Sequence, residues 1–263
     1  MQPGRRDIVK LAAGACALPL LWHRALAQPA PNPPSIRAPS PAERNAMGRL
    51  AQAFMDKYEV PALSVAIGYA GAIVHQAAFG IADREQNEAA TPQHLFRIAS
   101  VSKMITSVTL FRLIEENRVK LTDRVFGPGA LLGTDYGAPP YSPGIEQITL
   151  ENLLTHTGGG WSNDNRDPMF THPHMDHAQL ITWTLANRPL DRPPGQHYAY
   201  SNFGYCVLGR VIEKLTGRHY AEHVRTEVLG RCGVTDMTIA ATPAISVRLA
   251  KWSITAGAKA PTT

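Results

Sequence analysis

The sequence predicts an α+β fold, and two observations predict it. An N-terminal stretch alternates apolar and small residues as strands do, and almost everything after it repeats with the helical period. Two strands followed mainly by helices indicate α+β organisation, because a parallel sheet would need strands and helices to alternate along the chain. No internal repeat is visible.

The elements follow in order. Residues 42–57 read as a helix, with Met47, Leu50, Ala51, Phe54 and Met55 at helical spacing. Residues 61–81 read as a hairpin: Leu63, Val65 and Ile67 alternate with smaller residues, Ala70-Gly71 supplies the turn, and Ile73 to Phe79 returns. Two strands alone make a marginal sheet. Either further strands come from elsewhere or the sheet is incomplete. Ser100 to Glu116 is the strongest helix, on which Val101, Met104, Ile105, Val108 and Phe111 form an apolar stripe. Residues 118–148 are rich in Gly and Pro and read as loop. A short helix over 150–155 stops at Gly158-Gly159-Gly160, residues 160–177 are loop, and 177–187 are helical. Pro193-Pro194-Gly195 breaks the chain before a helix over 202–216, which Gly217 terminates as a C-cap. A last helix covers about 219–229.

The chain has 263 residues, enough for one large domain or two small ones with a sizeable core. Its 44% hydrophobic and 18% charged residues describe an ordinary globular protein. The formal charge is +5, but Arg5, Arg6, Lys10 and Arg24 against Asp7 carry much of it within the first 27 residues. The remainder is close to neutral and shows no Lys/Arg cluster, which argues against a nucleic-acid partner. Residues 1–27 read as a twin-arginine-type signal peptide. Arg5-Arg6 opens it, Leu11 to Leu21 is an apolar run too short to span a bilayer, and Ala25-Leu26-Ala27 is a small-x-small cleavage site. Cys16 after Ala13-Gly14-Ala15 is a weaker lipoprotein-type alternative. Export places the mature protein in the periplasm or outside the cell, without a stable membrane anchor once the signal is removed. Residues 28–41 form a Pro-rich linker, and 42–263 form the functional domain. An oxidising compartment permits a Cys206–Cys232 disulfide, although Cys206 on an apolar helix face reads first as a small hydrophobe.

Ser100-Val101-Ser102-Lys103 is a Ser-x-x-Lys motif at the start of the strongest helix. Residues i and i+3 share a helical face, so the lysine can reach the serine hydroxyl. A free serine is a poor nucleophile and needs a neighbouring base. Lys103 can be that proton acceptor if burial or a nearby cation lowers its pKa, and the apolar stripe is expected to bury it. The helix N-terminus adds N–H groups and partial positive charge that favour an oxyanion. Tyr200-Ser201-Asn202 stands just before the 202–216 helix. A tyrosine beside a cationic lysine is a plausible partner base. The Asn202 amide offers both donor and acceptor to a substrate amide. Ser201 or Asn202 also suits a helix N-cap, and both roles can hold together.

With these residues in view, the chain resembles the β-lactamase and penicillin-binding-protein family of serine hydrolases. The matching branch uses Tyr-x-Asn and holds class C β-lactamases, D-alanyl-D-alanine carboxypeptidases and related esterases. The resemblance runs from about residue 42 to 252. It is carried by Val60-Pro61-Ala62-Leu63-Ser64-Val65, Phe96-Arg97-Ile98-Ala99-Ser100-Val101-Ser102-Lys103, Leu153-Leu154-Thr155-His156-Thr157-Gly158-Gly159, and Pro194-Gly195 before Tyr200-Ser201-Asn202-Phe203-Gly204-Tyr205. It implies an antiparallel sheet flanked by helices, with a helical subdomain and the site at their junction. It implies an acyl-enzyme on Ser100, proton movement by Lys103 and Tyr200, and substrate held by Asn202 and Lys103. It implies no metal or organic cofactor, and a substrate that is a β-lactam, a D-amino-acid peptide of peptidoglycan origin, or a small ester.

Two departures matter. The family's third motif, Lys-Thr-Gly or its His and Trp variants on a late strand, is not found. His156-Thr157-Gly158 precedes Tyr200, and Thr255-Ala256-Gly257 lacks a suitable first residue. The chain therefore reads as a C-terminally truncated member lacking late sheet strands, and the loss of one oxyanion donor typically costs about 10²–10³ in rate. An inactive exported relic that binds without turnover is the corresponding alternative. Separately, Thr171-His172-Pro173-His174-Met175-Asp176-His177 matches a metallo-β-lactamase-like zinc signature, with His197, His219 and His223 as further candidate ligands. Its context is wrong for that fold: polar residues precede it and a helical run follows directly.

Overall fold

The computed structural model describes residues 37–239. The segment expected to be a signal peptide and most of the expected linker, together with Thr255-Ala256-Gly257, lie outside them. The described residues form an α+β arrangement that divides into two compact units, one comprising 37–80 with 90–92, the other 81–89 with 93–239.

The first unit starts with α1, Pro41–Tyr58. Ser40 caps it by accepting from the Glu43 N–H at 3.3 Å, while the Glu43 carboxylate accepts from the Ser40 N–H at 2.7 Å. This reciprocal box, with proline at the first helical position, fixes the start of the helix. α1 buries Ala51 and Met55. β1 (Ala62–Tyr69) and β2 (Ala72–Asp83) pair antiparallel from Ala62↔Gly80 to Tyr69↔Ala72. Ala70 and Gly71 sit at φ 48° and 79°. Positive φ at both central positions is the signature of the hairpin turn whose twist matches its strands. The sheet gains one strand beyond the sequence expectation, the two-residue β3 (Glu88–Ala89), in the order β1-β2-β3 among the described residues.

The second unit is helical. α2 spans Ser102–Glu115, α3 Leu150–Leu154, α4 Pro168–Thr171, α5 His177–Asn187, α6 Asn202–Thr216 and α7 Tyr220–Val224. α7 runs on as a π-helical turn over Arg225–Leu229. α6 is the hub: Phe203, Val207, Leu208, Val211 and Ile212 are all buried. They join Leu110 and Leu113 of α2, Leu150 and Leu153 of α3, and Leu180, Ile181 and Leu185 of α5 in one core. Gly217 closes α6 at φ 69°, as its sequence position requires.

Three expectations are corrected, and the reading of Cys206 as a small hydrophobe stands. α2 begins at Ser102, and Ser100 lies in a separate 3₁₀ turn, Ala99–Val101. The α2 stripe points the other way: Val101, Met104, Val108 and Phe111 are exposed, Met104 to 68%, and the buried face is Thr106, Thr109, Leu110 and Leu113. The physical reason is that both threonines satisfy their hydroxyls on their own helix. Thr106 Oγ1 donates to the Ser102 carbonyl at 3.3 Å and Thr109 Oγ1 to that of Ile105 at 2.8 Å, so neither is costly to bury. The stretch 160–177 is not all loop, because Asp167 caps α4 with Pro168 at its first position. Cys206 and Cys232 are free thiols, and burial pushes the Cys206 pKa up to about 11, as expected for a small core hydrophobe.

These burials have opposite consequences for two α2 residues. Leu110→Ala removes a fully buried side chain and is expected to cost about 2–5 kcal/mol in urea unfolding. Met104→Ala is expected to stay within about 0.5 kcal/mol.

Candidate active site

The site lies within the helical unit and is assembled by the N-terminal turn of α2 and the N-terminus of α6. Ala99, just before the nucleophile candidate, has φ 44°. A left-handed alanine is strained by about 1–3 kcal/mol and persists only where its surroundings impose it. Ser100 follows in the 3₁₀ turn, and Lys103 stands one turn further on.

The structure brings all four sequence-predicted residues together. Lys103 Nζ donates to Ser100 Oγ at 3.2 Å and to Asn202 Oδ1 at 2.8 Å. The Tyr200 hydroxyl donates to Ser100 Oγ at 2.8 Å. Lys103 Nζ also lies 4.7 Å from the Tyr200 ring centre and 5.5 Å from that of Tyr205. Aromatic faces attract an ammonium within about 6 Å. Lys103 is therefore sheltered by tyrosines, and the exposed apolar stripe of α2 takes no part in burying it.

Tyr200 and Asn202 flank the cap of α6. Ser201 Oγ accepts from the Gly204 N–H at 3.0 Å and donates to the Trp161 carbonyl at 2.7 Å. One capped helix start thus sets the direction of the residues on either side of it. Tyr205, one turn into α6, ties the same helix to its neighbours. Its hydroxyl donates to the Leu154 carbonyl at 3.1 Å and lies 3.1 Å from the Ser107 hydroxyl.

Three participants were not singled out from the sequence. His156, at φ 58°, accepts the Ser201 N–H on Nδ1 at 3.1 Å. Its ring stacks on Tyr200 at 4.4 Å and on Tyr205 at 5.1 Å. Burial and then the Lys103 charge lower its pKa, so it stays neutral with its proton on Nε2. Asp167 is fully buried. Its Oδ2 accepts from Asn202 Nδ2 at 3.0 Å, and its Oδ1 accepts the Met169 N–H at 2.9 Å. Asn163 Oδ1 accepts from Asn202 Nδ2 at 2.9 Å. His156 was visible inside the quoted Thr-His-Thr-Gly run, and Asp167-Pro168 carries a helix-start signature. Asn163 has no sequence signal.

Tyr200 is the group whose acidity the site alters toward function. Burial alone would raise its pKa, but hydrogen bonding with Lys103 and Ser100 and the Lys103 charge outweigh burial and hold it below the ordinary phenol value. A phenol with lowered pKa, 2.8 Å from a serine hydroxyl, can take that proton.

The alternative zinc cluster is not assembled. Asp176 is spent as the N-cap of α5, in a capping box with Gln179. His177 is the first residue of that helix, and the His172 ring packs on Trp183 at 3.8 Å. His219 sits 3.9 Å from Glu213, and His223 is buried elsewhere. Among the described residues, no three His, Cys, Asp or Glu side chains gather where they could hold a metal ion.

A family profile described as Beta-lactamase matches residues 47–262. The chain belongs to the beta-lactamase family. It is 25% identical over 170 residues to Protein flp of Staphylococcus aureus, a match covering 65% of this chain and 33% of that protein. Its fold is similar to the octameric penicillin-binding protein homologue of Pyrococcus abyssi, with TM-score 0.61, 25% identity and coverage of 73% and 43% of the two chains. It is also similar to D-alanine carboxypeptidase AmpC of Burkholderia cenocepacia, with TM-score 0.57, 26% identity and coverage of 73% and 48%. This family member thus spans about a third of the curated relative's length and less than half of either solved chain. The fold is β-lactamase/transpeptidase-like, and the family's proteins are serine hydrolases.

The Tyr200 arrangement is testable by ultraviolet difference titration, with Tyr200→Phe identifying the signal. In the parent, Tyr200 is expected to ionise below the ordinary phenol value. In Lys103→Met only the Ser100 hydrogen bond still opposes burial, and the same group is expected to ionise at higher pH than in the parent.

Proposed function

We propose that this protein is an exported serine hydrolase that forms an acyl-enzyme on Ser100, acting on a β-lactam, a D-amino-acid peptide or a small ester. The observation that carries the reading is the convergence of Lys103 Nζ and the Tyr200 hydroxyl on one oxygen, Ser100 Oγ, at 3.2 and 2.8 Å. Activation of a serine needs a base within hydrogen-bond reach and a charge that makes that base available at working pH. Tyr200 supplies the base, and Lys103 supplies the charge.

In the proposed reaction, Ser100 Oγ bonds to the substrate carbonyl carbon as its proton passes to ionised Tyr200. The tetrahedral adduct collapses, the bond to the leaving nitrogen or oxygen breaks, and Tyr200 returns the proton to that group. Water then repeats the attack on the ester, Tyr200 takes its proton, and Ser100 recovers it as the acid departs. The N-terminal basic and apolar segment supports export, hence a periplasmic or secreted location and a peptidoglycan-derived or other small-molecule substrate.

Hydrolysis of p-nitrophenyl esters and a chromogenic cephalosporin by the purified chain tests the proposal. Ser100→Ala is expected to remove turnover, and Tyr200→Phe to lower kcat by about 10²–10⁴. Turnover that survives Ser100→Ala in the folded protein would refute the assignment.

A further inference from the structure

Asn202 is expected from sequence to offer its amide to a substrate amide. The structure leaves it little to offer. Its Oδ1 accepts from Lys103 Nζ at 2.8 Å, and Nδ2 donates to Asn163 Oδ1 at 2.9 Å and to Asp167 Oδ2 at 3.0 Å. An asparagine amide has two N–H donors, so both are committed.

The orientation follows from charge. Turning the amide over would set its NH₂ against the Lys103 ammonium and its oxygen against the Asp167 carboxylate, two repulsive contacts in place of two attractive ones. Asp167 is fully buried and its other oxygen is held by the Met169 N–H, so it cannot turn away. The Asn163 N–H donates to the Tyr200 carbonyl at 2.7 Å, which fixes that residue beside the site as well.

Resting on the serine-hydrolase reading above, we infer that Asp167 and Asn163 are positioning residues that aim Asn202 Oδ1 at Lys103, and that by consuming both amide hydrogens they bias this site toward acyl donors, such as simple esters, that need no hydrogen-bond donor from Asn202. An acyl group carrying an amide carbonyl must break one of these bonds to use Asn202. An acyl group without one loses nothing. The remaining lone pair of Oδ1 can still accept from a substrate N–H, so the bias is against carbonyl recognition in particular.

The test compares acylation rates of the full chain with p-nitrophenyl butyrate and with a fluorescent penicillin bearing a side-chain amide, in the parent, Asn163→Ala and Asp167→Asn. Asn163 is exposed, so its removal spares the core. Asn163→Ala is expected to raise the penicillin-to-ester rate ratio by about two- to ten-fold, the worth of one hydrogen bond released to the substrate. Asp167→Asn keeps an acceptor for the Met169 N–H but loses the charge that orients Asn202. It is expected to slow ester acylation at least ten-fold through kcat with little change in KM. An unchanged ratio in Asn163→Ala, or unchanged ester acylation in Asp167→Asn, overturns the inference. A second readout needs no turnover: the Asn202 side-chain NH₂ hydrogens, assigned by their loss in Asn202→Ser, are expected to exchange slowly with solvent in the parent and faster in both variants. If neither probe acylates the parent, the hydrolase reading fails, and this exchange measurement alone decides the positioning claim. Exchange in the parent as fast as in an exposed asparagine contradicts it.

Discussion

The site depends on where one ammonium group is held. Lys103 Nζ is placed among the Ser100 oxygen, the Asn202 carbonyl and the faces of Tyr200 and Tyr205. Burial is the largest single influence on the Tyr200 phenol and pushes its pKa up, but hydrogen bonding with Lys103 and Ser100, joined by the Lys103 charge, outweighs it and draws Tyr200 below its ordinary value. Remove the ammonium and the serine keeps a neighbour but loses a base.

The surroundings make sense as consequences of that charge. His156 packs against both tyrosines that Lys103 covers, and a second cation there would repel the first. Burial and the lysine together keep the ring neutral, and neutrality is what lets Nδ1 accept the Ser201 N–H. That bond steadies the turn between Tyr200 and Asn202. On the other side, the buried Asp167 accepts from the Asn202 amide, whose oxygen in turn accepts from Lys103 Nζ. The cap of α6, with Phe203, Val207 and Leu208 locked in the core behind it, makes the arrangement rigid.

What the sequence could show, and what it could not, divides along the range of the interactions. Ser100 and Lys103 were legible because i and i+3 meet on a helical turn whatever else the fold does. The limits of α5 and α6 were legible because caps and a terminal glycine are local signals. The buried face of α2 was not legible. Hydrophobicity favoured Val101, Met104, Val108 and Phe111, whereas Thr106 and Thr109 hide their hydroxyls on their own backbone and pack inward with Leu110 and Leu113. Asp167 and Asn163 reach Asn202 across 35 and 39 positions of chain, from a stretch without periodicity, and no pattern predicts such a contact. The histidine cluster misled for the opposite reason. Its letters fit a metal site, but Asp176 and Gln179 also spelled a capping box, and the local backbone took precedence.

The central claim is that Ser100 is an activated nucleophile in this chain. Intact-protein mass spectrometry after exposure to a fluorophosphonate, followed by peptide mapping, addresses it directly, because Ser102 and Ser107 lie within seven residues as internal comparators. The account predicts one adduct, mapped to Ser100, absent in Ser100→Ala and strongly slowed in Lys103→Met. A folded parent that forms no adduct, or one labelled equally at Ser102, would contradict it.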